Sequence, residues 1–227
     1  MKRSGHHALV NWIGRNDGDC IHQNDVQAKP DLSDFKGSSK VFFGDFAFGP
    51  QAEQKNLIAN FEDFDFSLFD KIKWPKDGNV YHILFMRDFP NWLASSYKRK
   101  DGSYGRDVYD NLLTRIELYR SQAKIFSSQD ARIVPVSYNL FLTSHMYRNE
   151  LASILGFKNG DGEQGLSRVT QYGYGSSFTG MQEQVIKTED VFSRYKEFDD
   201  DMAYQVMLKT NSDLVDFGTN FLGTKKG

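Results

Sequence analysis

The spacing of apolar positions along the chain predicts an alternation of helices and strands. In the first half, residues 6–15 carry apolar side chains at helical spacing, which indicates a short helix. Apolar runs at 40–48, 56–61 and 80–86 are typical of strands, and the last of these has the clearest pattern of a buried strand. A shorter strand is expected near 20–26.

The second half continues the alternation. Asp88 is placed to cap a helix that carries Pro90 in its first turn and ends near residue 98. Beyond it we expect a helix over 107–126, a strand over 131–136, a mostly helical segment over 138–155 closed by Gly156, and one or two C-terminal helices over 191–222. Residues 159–180 have the composition of a loop.

This order of elements predicts an α/β fold. Strands that alternate with helical segments are typical of a three-layer arrangement, in which a mostly parallel β-sheet is flanked by helices on both faces. Neither an internal repeat nor a linker interrupts the 227 residues, so we expect a single domain over 1–227.

Composition narrows the class of protein. A net charge of −2 gives no basic field for nucleic acid or an anionic membrane surface, and aromatic residues at 15% argue against disorder. The single cysteine rules out an internal disulfide framework. No apolar run reaches the length of a membrane span and no signal-peptide pattern precedes the first helix. We therefore expect a cytoplasmic protein that binds neither nucleic acid nor membrane.

The N-terminal turn has the composition of an anion site. Arg3, Ser4 and Gly5 lead directly into the first predicted helix. Backbone N–H groups at a helix N-terminus attract an anion, glycine lets the main chain approach it, and arginine adds charge. A phosphate-binding turn normally follows a strand, and only Met1 and Lys2 precede this one. Either that strand is very short or the natural chain begins further upstream.

A second candidate lies after the clearest strand. Arg87 follows that strand at its carboxyl end, where open α/β sheets bind ligands, and Ser95 lies eight residues further on in the next helix. A guanidinium and a hydroxyl so placed can hold one phosphate from two sides. The structural alternative is that Arg87 pairs with Asp88 or another carboxylate at the sheet end, while Ser95 only fills a packed helix face.

Together the two segments resemble the sulfotransferase family, whose members use 3′-phosphoadenosine-5′-phosphosulfate (PAPS). The family's [Lys/Arg]-Ser-Gly-Thr-Thr loop is similar to Arg3-Ser4-Gly5-His6-His7, and the family also has an Arg followed by a Ser eight positions later, as in Arg87 and Ser95. The resemblance implies a P-loop nucleotide-hydrolase-like fold of the sulfotransferase type. It also implies that the loop, through Ala8, binds the 5′-phosphosulfate and that Arg87 and Ser95 bind the 3′-phosphate.

Two later segments extend the resemblance. Tyr138 lies where a family tyrosine approaches the adenine, and Gly175, Ser176 and Ser177 resemble a late loop that closes over the 3′-phosphate. That loop lacks the basic residue and the tryptophan found in many members. His6 and His7 replace two threonines, so imidazole N–H groups would take over the contact that a hydroxyl makes in the family.

The implied reaction is in-line transfer of a sulfuryl group to a hydroxyl of a small acceptor, with a carbohydrate as one candidate by family analogy. Arg3 would neutralise charge on the leaving phosphate, without a metal. The family places its general base just after the preceding strand, which makes Glu62 the first candidate; Asp63, His7 and Asp45 are alternatives. The structural alternative for Glu62 is a solvated acidic loop.

Other classes fit less well. A P-loop kinase-like phosphotransferase would need a Gly-x-x-x-x-Gly-Lys-[Ser/Thr] motif, which the chain lacks, and a non-catalytic nucleotide-binding module stays open because of the two histidines. His6 and His7 are expected to point about 100° apart on their helix, and no zinc-type spacing supports them as a metal site. The aromatic residues of 61–69 are expected in the core and the wall of the acceptor cleft.

Overall fold

Five parallel strands form one sheet in a computed structural model that describes residues 5–16, 20–23, 40–43, 56–59, 61, 63–74, 79–98, 106–128, 130–157 and 188–223. Along the sheet the strands follow the order β1-β3-β2-β4-β5, and each neighbouring pair is parallel. Their bounds are Cys20–Gln23 for β1, Lys40–Phe43 for β2, Asn56–Ala59 for β3, Asn79–Met86 for β4 and Ile133–Ser137 for β5.

The described helices lie before, between and after these strands. They are α1 (His6–Asn16), α2 (Phe89–Tyr97), α3 (Arg106–Ser128), α4 (Tyr138–Thr143), α5 (His145–Ile154), α6 (Thr188–Phe192), α7 (Met202–Thr210) and α8 (Ser212–Phe221), with 3₁₀ helices at Phe66–Lys71 and Arg194–Phe198. The α/β prediction is therefore confirmed. The P-loop assignment and the single-domain organisation stay predictions.

Helical layers pack on both faces of the sheet. Successive side chains of β4 point to opposite faces of the sheet, so His82 and Phe85, which are three residues apart, lie on opposite faces. The His82 ring lies 4.6 Å from that of Phe69, in the first 3₁₀ helix. Phe85 instead packs edge-on against Phe141 of α4, at 6.0 Å, and Phe141 in turn packs against Trp12 of α1, at 5.5 Å. The sheet is thus buried from two sides, as parallel sheets are.

The connections from β2 and from β4 lead to opposite sides of the sheet. From β2 it continues to β3 on one side of the sheet, whereas from β4 it continues to β5 on the other side. Two neighbouring strands whose connections leave in opposite directions open a crevice at their carboxyl ends, which is where open α/β sheets bind ligands. The residues just after β4 therefore lie at the position that the topology favours for a site.

Local signals account for the elements around this crevice. Asp88 caps α2, since its Oδ1 accepts the backbone N–H of Asn91 at 3.1 Å and Pro90 follows in the first turn, as predicted. The apolar face of α1, with Leu9 and Ile13 fully buried, packs into the core. Aromatic residues of the 61–69 run are buried as expected: Phe61, Phe64, Phe66 and Phe69.

The structure adds detail to two expectations about helices. The segment 138–155 is mostly helical, as predicted, but it forms two helices, because Ser144 ends α4 with an extended backbone and its hydroxyl then caps α5 by accepting from Tyr147 N at 3.2 Å. The C-terminal region contains α7 and α8, in agreement with the expected one or two helices, preceded by α6 and a 3₁₀ helix. Asp201 caps α7 and Asn211 separates it from α8, so polar residues interrupt the apolar period.

No helix within the described ranges has both the length and the apolar character that crossing a membrane requires.

Candidate functional site

Arg87 and Ser95 meet at the carboxyl end of β4. Nη1 of Arg87 donates to Oγ of Ser95 at 3.2 Å, and the two side chains are only 1% and 2% exposed. The capped start of α2 turns the chain after Arg87, so that a residue eight positions later returns to the same point. The structure thus brings together the two side chains that the sequence singled out, and their binding role stays a prediction.

The remaining contacts of Arg87 are with backbone and an aromatic ring. Nη2 donates to the carbonyl of Val191 in α6, and the guanidinium lies over the Tyr138 ring at 5.3 Å from its centroid. The Arg87 carbonyl accepts from the Tyr119 hydroxyl at 2.5 Å. Burial and the nearby Asp88 carboxylate raise the pKa of Tyr119 well above its usual value, so this hydroxyl stays protonated and donates.

Asp88 does not take the pairing that the structural alternative gave it. Its Oδ1 accepts from the backbone N and from Nδ2 of Asn91, at 3.1 and 2.8 Å. The Asn91 amide also donates to the carbonyl of Phe192 at 3.1 Å. Over the part of the chain that the structure describes, Arg87 makes no hydrogen bond to a carboxylate. Among the described residues, the hydrogen-bond acceptors of Arg87 are thus the neutral Ser95 hydroxyl and Val191 carbonyl, while the buried Asp88 carboxylate is its neighbour along the chain.

Several polar atoms at this point have no hydrogen-bond partner among the described residues. They are Nε of Arg87, Oδ2 of Asp88 and Oδ1 of Asn91, all in side chains at most 3% exposed. A buried polar atom without a partner costs about 1–3 kcal/mol. Of the three, Nε of Arg87 is a donor that an anion could satisfy, whereas the oxygens of Asp88 and Asn91 are acceptors and need a donor.

Gly5, at the start of α1, lies against Tyr138, whose ring contacts Arg87. Its φ is +84°, a backbone conformation that glycine adopts readily, and a Cβ at this position would lie 2.5 Å from Cε2 of Tyr138. The carbonyl of Gly5 accepts from Ala8 N at 3.1 Å, so the helix begins at this turn. Tyr138 follows β5 as Arg87 follows β4, and Met86 and Ser137 are register partners. The Tyr138 ring thus contacts both predicted anion segments.

The two histidines at the start of α1 have neighbouring rings. His6 is buried and His7 half-buried, and their ring centroids are 4.3 Å apart at an interplanar angle of 40°. The expectation that their positions lie about 100° apart on the helix stays a prediction. Burial lowers the pKa of His7, which keeps its imidazole neutral at pH 7. No group of three or more His, Cys, Asp or Glu side chains able to hold a metal occurs among the residues with described positions.

The acidic segment after β3 is described in part. Asp63 has a φ of +60°, and its carboxylate lies 3.6 Å from Nε of Arg115. Asp65 accepts from Ser67 N at 2.9 Å and caps the first 3₁₀ helix, which is a structural role. The remaining predicted site residues lie outside the described ranges: Arg3, Ser4, Asp45, Glu62, Gly175, Ser176 and Ser177.

Sequence reasoning missed the residues that are distant in sequence but contact Arg87 and Asn91. Val191 and Phe192 reach the site through their carbonyls, and Tyr119 through its hydroxyl. A carbonyl carries no residue-specific signal, and Val191 lies 104 residues from Arg87. Tyr119 had a weak signal, since it falls on the apolar face predicted for the long helix.

Comparisons with protein-family models, with curated proteins and with solved structures found no match. The likeness to sulfotransferases therefore depends on the motifs in the sequence and their positions in the fold.

Proposed function

We propose that this protein is a sulfotransferase-like enzyme that binds PAPS at the carboxyl edge of its sheet and sulfates a hydroxyl of a small acceptor, with a carbohydrate as one candidate. The observation that carries the proposal is the buried pair of Arg87 and Ser95, whose Arg87 Nε lacks a partner among the described residues. The pair lies at the carboxyl end of β4, beside the β2/β4 switch point where this strand order favours a ligand site.

The charge of the site favours a phosphate ligand. Among the described residues Arg87 makes no hydrogen bond to a carboxylate, and a bound anion would accept from its guanidinium N–H groups. Nε and Nη2 form one edge of the guanidinium, and this edge matches two oxygens of a phosphate. Ser95 adds a hydroxyl beside Nη1 at 3.2 Å. Arg87 and Ser95 would accordingly hold the 3′-phosphate.

The N-terminal turn would hold the other end of the nucleotide. Gly5 is in contact with Tyr138, whose ring lies under the Arg87 guanidinium, so both motifs border one aromatic side chain. In this proposal Arg3, Ser4 and the backbone from Gly5 to Ala8 bind the 5′-phosphosulfate, and Tyr138 lies against the adenine. A P-loop-type fold belongs to the same proposal, and the parallel sheet with its switch point between β2 and β4 is consistent with it.

The residues supply positioning and charge, while PAPS supplies the sulfuryl group when it is bound. As a bond forms from the acceptor oxygen to sulfur, the bond from sulfur to the phosphate oxygen breaks and that oxygen keeps the electron pair. Arg3 neutralises the developing charge there. The acceptor proton passes to a base, for which Glu62 is the first candidate, while the neutral imidazole of His7 is an alternative.

Calorimetric titration with 3′-phosphoadenosine-5′-phosphate tests the binding site. We expect Arg87→Ala and Ser95→Ala to weaken binding, by at least about tenfold for Arg87, because each removes a hydrogen bond to the 3′-phosphate. Ser96→Ala is the matched control, since the hydroxyl of this neighbour has no described partner. With adenosine 5′-phosphate, which lacks the 3′-phosphate, all variants should bind alike.

Equal weakening of both nucleotides by Arg87→Ala would show that Arg87 does not bind the 3′-phosphate. Failure of the wild-type protein to bind either nucleotide would reject the proposed function. Turnover of ATP that depends on Mg²⁺ would instead favour a P-loop kinase-like phosphotransferase, and binding without turnover on a broad acceptor panel would favour a non-catalytic nucleotide-binding module.

A further inference from the structure

The edge of Arg87 that suits a phosphate is half used by the protein itself. Nη2 donates to the Val191 carbonyl, whereas Nε, on the same edge of the guanidinium, has no partner among the described residues. A carbonyl oxygen satisfies one donor of this edge, but a phosphate satisfies both and also brings negative charge. The Val191 carbonyl thus occupies the position that one phosphate oxygen would take.

The helix that provides this carbonyl is held at its C-terminal end. The Phe192 carbonyl accepts from Nδ2 of Asn91 at 3.1 Å, and the Phe192 ring packs edge-on against Tyr138 with centroids 6.4 Å apart. Val191 itself is 2% exposed. The last two residues of α6 therefore cover Arg87, Asn91 and Tyr138 together, which leaves Arg87 only 1% exposed.

We propose that α6 is a latch that a phosphate ligand displaces from Arg87. The latch rests on the proposed function, because it assumes that Arg87 binds the 3′-phosphate. In the closed form the carbonyls of Val191 and Phe192 provide hydrogen-bond partners for Arg87 and Asn91. In the ligand-bound form the phosphate accepts from Nε and Nη2, and the C-terminal end of α6 moves away. Binding and release of α6 are then coupled, since both depend on the same donors.

The latch makes a prediction opposite to that of a supporting helix. If α6 competes with the ligand, a change that loosens α6 raises the fraction of open protein and tightens binding. If α6 only supports the site, the same change weakens binding. Val191→Ala is suited to this comparison, because it removes buried side-chain packing of α6 but leaves Arg87, Ser95 and Asn91 unchanged.

Hydrogen exchange measured by mass spectrometry, with and without 3′-phosphoadenosine-5′-phosphate, measures the release of α6 directly. We expect saturating nucleotide to speed exchange of the backbone amides of 188–192 at least about threefold, because the helix loses its docked end. By titration, Val191→Ala should bind the nucleotide about 3- to 10-fold more tightly than the wild type. Ser153→Ala is the control: its hydroxyl donates to the carbonyl four residues earlier, that of Asn149, at 3.0 Å, but it lies on α5 rather than α6, so affinity should not change.

The outcomes separate the latch from the proposed function. Nucleotide binding with unchanged or slower exchange in 188–192 would overturn the latch and leave the proposed function intact, as would weaker binding by a folded Val191→Ala. If neither the wild type nor Val191→Ala binds the nucleotide, both the latch and the proposed function are rejected. If Val191→Ala fails to fold, the wild-type exchange measurement still decides.

Discussion

Gly5 approaches the Tyr138 ring so closely that a methyl group at Gly5 would lie 2.5 Å from Cε2 of the tyrosine. The backbone of Gly5 also has a φ of +84°, which L-residues rarely adopt. The start of α1 and the residue after β5 are therefore fitted to each other, at the tyrosine ring that also contacts the Arg87 guanidinium. Glycine is required here for two independent physical reasons.

The first prediction concerns this contact. Gly5→Ala should lower the free energy of unfolding by about 1–3 kcal/mol, because the new methyl group strains the backbone and overlaps the ring. It should also weaken binding of 3′-phosphoadenosine-5′-phosphate by displacing the N-terminal turn. Urea denaturation and calorimetric titration measure the two effects.

Gly14→Ala is the matched control, since a Cβ there would meet nothing within 4 Å and alanine favours a helix interior by about 0.8–1 kcal/mol. It should stabilise the protein without changing affinity. In a Tyr138→Ala background the penalty of Gly5→Ala should shrink, and a penalty of unchanged size would contradict the steric explanation.

His82 gives a prediction for the pH dependence of stability. Burial, and to a lesser extent the charge of Arg132, lower the pKa of His82 from 6.5 to about 4. Between these values the unfolded chain binds a proton that the folded protein does not, so stability is complete above pH 6.5 and falls as the pH drops towards 4. The full difference between the two pKa values of His82 corresponds to about 3 kcal/mol in the free energy of unfolding.

Chemical denaturation at a series of pH values tests this contribution. Comparison of the wild type with His82→Phe isolates it, because the other titrating groups are present in both proteins. The free energy of unfolding should fall less steeply from pH 6.5 to pH 4 in the variant. Parallel curves would show that His82 does not contribute to the pH dependence.

The acidic residues after β3 give a prediction about turnover. Glu62→Gln should lower sulfate transfer by about 10²–10⁴-fold while nucleotide affinity stays the same, because a general base acts on the acceptor. Asp63→Asn is the control: its φ of +60° is one that asparagine tolerates, so the turn is retained. Transfer of labelled sulfate from PAPS to an acceptor panel measures both, and a larger loss in Asp63→Asn would assign the base to Asp63.

Local chemistry explains what the sequence predicted well. The helix at α1, the buried strand β4 and the Asp88 cap of α2 each depend on residues within one or two turns of each other, so the pattern was sufficient. The meeting of Arg87 and Ser95 also follows from local geometry, since only eight residues separate them.

Hydrogen bonds that the apolar pattern does not encode explain the rest. Ser144 divides a mostly helical segment because its hydroxyl caps a new helix, which the spacing of apolar residues does not show. The cover over Arg87 depends on a carbonyl of α6, and any residue type provides a carbonyl.

The long separation between Arg87 and Val191 has a consequence for synthesis of the protein. At about 5–20 residues per second, a ribosome needs roughly 5–20 s to make the 104 residues between them. During that time the guanidinium has no carbonyl from α6, and water is its best remaining partner. We expect the Arg87 guanidinium to stay hydrated in the nascent chain after β4 has formed. Water is excluded from it only once the C-terminal helices have emerged.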